Sequence, residues 1–107
     1  MAFADNLSQL PPVPHLEALH LVDASGHTSA TIENKPGQAG SLAVYAALAG
    51  KHGGINVAAA EEGLAIYSEH TADARAHPGK HPNIDRLITV IETGSGFMVT
   101  LVPRAAG

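Results

Sequence analysis

A chain of 107 residues with a formal net charge of −4 and no cysteine supports one small core and excludes disulfides and thiolate metal sites. Its six Lys and Arg are scattered rather than gathered in a stripe, and Phe3, Tyr45, Tyr67 and Phe97 are its only aromatics, so nucleic acid is not an expected partner. No apolar run approaches the ~18 residues of a membrane span, and the start Met1-Ala2-Phe3-Ala4-Asp5-Asn6 lacks the basic and apolar regions of a secretory signal.

The expectation is therefore a cytoplasmic protein with no membrane partner. Seven histidines are the unusual feature, since protonating all of them would carry the formal charge from −4 to +3. Unperturbed imidazole titrates near ~6.5, so solubility and stability are expected to change around that pH.

In chain order, residues 1–18 read as a lead-in to a single α+β domain spanning 1–107. Asp5 is placed to cap a short helix carrying Leu7 and Leu10. Pro11-Pro12-Val13-Pro14 ends it and serves as a stiff spacer. Alternation then predicts a hairpin: Leu19–Ala24 as one strand, Ser25-Gly26 as the turn, Thr28–Glu33 as the return.

After Pro36-Gly37-Gln38-Ala39-Gly40, Ser41 is the predicted cap of a helix whose Leu42, Tyr45, Ala46 and Ala49 form an apolar stripe. Gly50, Gly53 and Gly54 mark its end. A second helix is predicted from about Val57 to about His77, with Val57, Ala60, Leu64, Tyr67, Thr71 and Ala74 on one side. Pro78-Gly79 stops it.

A third helix follows His81, with Ile84, Leu87, Ile88 and Ile91 inward and Gly94 at its end. Gly96–Val102 reads as the last strand, with Phe97, Val99 and Leu101 on one face. The predicted architecture is a three-stranded, mostly antiparallel sheet, hairpin plus C-terminal strand, covered on one face by three helices.

The segment Ala76–Leu87 reads Ala-His-Pro-Gly-Lys-His-Pro-Asn-Ile-Asp-Arg-Leu. With Gly37–Tyr45, His52-Gly53-Gly54 and Glu62-Gly63-Leu64, it resembles an uncharacterised family of small bacterial proteins, domain of unknown function 2322. The resemblance runs from Phe3-Ala4-Asp5-Asn6-Leu7 over almost the whole chain, and the His-Pro segment is its most specific part. It implies a stand-alone bacterial protein of this length and brings no activity or site residues.

Three places could carry chemistry. His70, Asp73 and His77 fall on one arc of the predicted helix and His81 follows four residues later, a ligand set that suits Zn²⁺ or a similar divalent metal. The spacing matches no established metal motif, and a histidine near a helix C-terminus is favoured there without a metal. Gly37, Gly40 and Ser41, with Lys35 nearby, precede a helix start that could take an anion or phosphate, although no nucleotide-binding glycine pattern is present.

The third is His77–Arg86 as a protein-recognition surface beside Glu62, Glu69 and Asp73. No nucleophile motif occurs, and Lys80 is a candidate reactive amine only if desolvated. These residues favour a small non-catalytic binding or accessory protein with no resident cofactor, docking a protein partner or pairing as a homodimer. The alternatives are a divalent-metal protein or metal-dependent enzyme using His70, His77 and His81, and anion binding at Gly40-Ser41.

Overall fold

A computed structural model describes residues 2–104. The hairpin forms where alternation places it. β1 (Leu16–Val22) pairs antiparallel with β2 (Thr28–Glu33), and Leu19 and Leu21 lie opposite Ile32 and Ala30. β1 begins earlier than its pattern suggests and stops before Ala24. The cause is Asp23, whose Oδ1 accepts from the amides of Ser25 at 3.0 Å and His27 at 3.1 Å and from the Ser25 hydroxyl at 2.7 Å. Residues so held belong to the turn, which Gly26 completes at a φ of +90°.

The last strand, β3 (Met98–Pro103 of the chain), pairs antiparallel with β1 on its other side, giving the order β2-β1-β3. Leu101 lies opposite Leu19, which is fully buried, yet remains 47% exposed. β3 is an edge strand, with Leu101 bordering a cavity beside Ala46, Ala47 and Gly50 of the helix at 39–52.

The described residues form five helices, where the sequence predicts a short lead-in helix and three more. α1 (Phe3–Ser8) forms in the lead-in, but Asp5 lies in its first turn and Ala2 holds the capping position. α2 (Ala39–His52) starts two residues before Ser41, so Ser41 is not its cap. α2 lies across all three strands and buries Leu42, Val44, Tyr45 and Leu48 against them and the other helices.

The long second helix is two. α3 (Val57–Tyr67) ends at Ser68, whose φ of 52° and ψ of −115° no helix can contain, and α4 (Glu69–Ala76) restarts at once. The Thr71 hydroxyl donates to the Leu64 carbonyl at 2.7 Å, an acceptor it shares with the Ser68 amide at 3.3 Å. His77 therefore lies outside any helix.

α5 (Pro82–Thr93) has proline in its first turn, as read, and Gly94 ends it with a left-handed backbone. α3 packs on both α2 and α5, and Gly63 makes this possible, since a methyl group there would meet Leu87 Cδ1 at 2.6 Å. The resulting core runs from Leu19, Leu21 and Ile32 on the sheet to Ile84, Leu87 and Val90 on α5. Each such side chain contributes ~1.5–3 kcal/mol when fully buried. None of the described helices is long and apolar enough to cross a membrane.

Candidate functional site

The break at Ser68 decides where the site lies. It turns α4 away from the axis of α3, so that Tyr67 and His70 face the start of α2 on one side and the start of α5 on the other. A cleft of about 400 Å³ opens between them.

Gly37, Gly40 and Ser41 form one wall, and Lys80, His81 and the first residues of α5, Pro82, Asn83 and Ile84, form the opposite one. Phe3, Tyr67 and His70 complete the lining. No Asp or Glu lines the cleft among the described residues.

Two regions that look separate in the sequence thus share one cavity. Tyr67 connects them: its hydroxyl donates to Ser41 Oγ at 2.7 Å. Burial pushes the Tyr67 phenol well above its usual range, so it stays protonated and remains a donor. With its lone pair engaged by Tyr67, Ser41 keeps its own hydroxyl proton for an acceptor in the cleft. The first amides of α2, at Gly40 and Ser41, lie in the turn where a helix leaves N–H groups without intrahelical acceptors.

On the opposite wall, Asp73 organises the charges. Its Oδ2 lies 2.7 Å from His81 Nε2 and 2.9 Å from Lys80 Nζ, while His77 Nε2 is 3.8 Å from Oδ1. The bonds from His81 and then Lys80 hold the Asp73 carboxyl down at about 2. The His70 ring lies 5.7 Å from that of His81 and meets Phe3 edge-on at 5.2 Å.

Of the four residues read as a metal set, His81 and Asp73 touch and His70 stands beside them. His77 is 64% exposed at the margin. An ammonium occupies the carboxylate they share, and no group of three or more His, Asp or Glu among the described residues is disposed to hold a metal ion.

Of the residues read as an anion site, Gly37, Gly40 and Ser41 line the cleft. Lys35 does not line it, and its ammonium pairs with Glu33 at 3.0 Å. Lys80 is the lysine on the cleft wall, its ammonium also bonded to Asp73 at 2.9 Å.

Behind the α5 wall, the fully buried Tyr45 donates its hydroxyl to the Asn83 carbonyl, and burial pushes its phenol up to about 12. Arg86 donates to Tyr45 Oη at 3.2 Å and to Asn83 Oδ1 at 2.8 Å. Its guanidinium has no carboxylate partner among the described residues.

Sequence reasoning missed Phe3 and Tyr67 as site residues. Tyr67 reads as one more member of a core stripe, and its only distinguishing signal is a hydroxyl that must find a partner when buried. Phe3 is placed by contacts no local pattern encodes. Its amide donates to Glu69 Oε1 at 2.7 Å and lowers that carboxyl, and its ring stacks on Tyr67 at 5.2 Å.

The layered architecture and this cleft define a small α+β protein with a three-stranded antiparallel sheet and one donor-lined cavity. The chain belongs to a bacterial family: the model described as "Uncharacterized protein conserved in bacteria (DUF2322)" matches residues 3–101. No curated protein and no solved structure matches it.

Proposed function

We propose that this is a non-catalytic binding protein whose ligand is a small anion held in the cleft between the starts of α2 and α5. One observation carries the reading: Gly40 and Ser41 on one wall and His70, Lys80 and His81 on the other surround a cavity that no described carboxylate lines. Asp73, outside the lining, shares Lys80 and His81, but the donors and the lysine that face the cavity suit an acceptor-rich, negatively charged ligand. The Arg86 guanidinium, which has no carboxylate partner among the described residues, adds positive potential behind the α5 wall.

The non-catalytic character rests on the chemistry of the lining. Ser41 is held by a tyrosine that stays protonated, and no base among the described residues is hydrogen-bonded to its hydroxyl. A cytosolic location fits a chain without cysteine.

Calorimetric titration with inorganic phosphate tests the reading. The wild-type chain is expected to bind it saturably at one site. Lys80→Ala is expected to weaken binding at least about tenfold, the scale of one charged hydrogen bond. No heat of binding with the wild-type chain refutes the proposal.

A further inference from the structure

The cleft is larger and more apolar than a lone ion requires. Its volume of about 400 Å³ lies in the ~300–1,000 Å³ range of sites that take small organic molecules. The donors concentrate on Ser41, His70, Lys80 and His81, while Phe3 and Ile84 present carbon surface to the same space.

Phe3 is the informative residue. Its ring stacks on Tyr67 with an interplanar angle of 19°, and its contact with His70 is edge-on. Those two neighbours engage one face and part of the rim, and the half-buried ring still borders the cavity. An aromatic ring left partly open in a concave site is a surface on which a flat ligand can stack.

From this juxtaposition we infer that the ligand is an organic phosphate monoester with a flat, ring-containing body, its phosphate toward Ser41 and Lys80 and its ring against Phe3. The inference rests on the anion-binding reading above and goes beyond it in naming the ligand class. It assigns Phe3 a role in specificity distinct from the charge recognition of Lys80. α1 brings Phe3 to the cleft through the Phe3 amide on Glu69 and through Asn6 Nδ2, which donates to the Ile66 carbonyl at 3.0 Å.

The test compares phenyl phosphate, inorganic phosphate and phenol as calorimetric titrants. Phenyl phosphate is expected to bind at least about tenfold more tightly than inorganic phosphate, and phenol alone only weakly. Phe3→Leu retains an apolar contact for docking α1 but removes the ring. It is expected to abolish the preference for phenyl phosphate, bringing the two affinities together, whereas Phe3→Tyr keeps the preference.

Equal affinity for the two phosphates overturns the inference and leaves the anion reading standing, as does a preference that survives in Phe3→Leu. Failure of both phosphates to bind the wild-type chain overturns both.

Discussion

The Tyr67 hydroxyl donates to Ser41 Oγ at 2.7 Å, joining the last residue of α3 to the first turn of α2 at the wall of the cleft. Tyr67 is almost fully buried, so its hydroxyl has no ready alternative in water. Tyr67→Phe and Ser41→Ala are each expected to cost about 1 kcal/mol in urea denaturation. The double variant should cost less than the two together, with a coupling of at least ~0.5 kcal/mol. Strict additivity would show that the bond contributes nothing.

Two glycines should behave oppositely. A methyl group at Gly63 would sit 2.6 Å from Leu87 Cδ1 and 3.0 Å from Leu48 Cδ1, so Gly63→Ala must push α3 away from its neighbours. The expected loss is about 1–3 kcal/mol, read as a lower melting temperature. At Gly40 the nearest atoms, Leu7 Cδ2 at 3.5 Å and Phe3 Cζ at 3.7 Å, leave room, and Gly40→Ala should be neutral or mildly stabilising.

Tyr45 holds the α5 wall through the Asn83 carbonyl and Arg86. Tyr45→Phe keeps the ring and removes both bonds, leaving polar groups beside the core without a partner. A loss of about 1–3 kcal/mol is expected by chemical denaturation. A melting temperature equal to wild type would mean that water replaces the hydroxyl.

Asp23 sets an acid limit on the hairpin. The Ser25 hydroxyl and then the His27 amide hold its carboxyl below the ordinary value of 3.8. A folded-state value lower than the unfolded one means that the stability it adds is present above the unfolded value. That stability is lost as pH falls through the folded one. Melting temperature should therefore fall more steeply as pH drops below the ordinary value of 3.8 in wild type than in Asp23→Asn, which keeps an acceptor oxygen but does not titrate. Parallel curves would remove Asp23 as a contributor.

Much of the fold is legible in the residues themselves. Leu19 and Leu21 alternate with His20, Gly26 marks the turn, and Ile84, Leu87 and Gly94 outline α5, because each signal is local and periodic. The break at Ser68 is not legible, since the apolar stripe from Val57 to Ala74 continues through it. Only the Thr71 hydroxyl on the Leu64 carbonyl shows how the chain accommodates the turn.

The candidate site was half visible. Gly40-Ser41 and His70–His81 each stand out, but their meeting depends on the path of α4 after Ser68, a tertiary outcome no spacing encodes. Lys35 and Lys80 illustrate the difference. Both adjoin a glycine-containing turn and both pair with a carboxylate, Lys35 with Glu33 and Lys80 with Asp73, and only the fold decides that the second lines the cleft.

The most direct measurement is a ¹H–¹⁵N correlation spectrum of the whole chain during titration with inorganic phosphate. The account predicts saturable shifts centred on the amides of Gly40, Ser41, His70, Lys80 and His81, with the hairpin around Asp23 unmoved. An unchanged spectrum, or shifts centred elsewhere on the molecule, would contradict it.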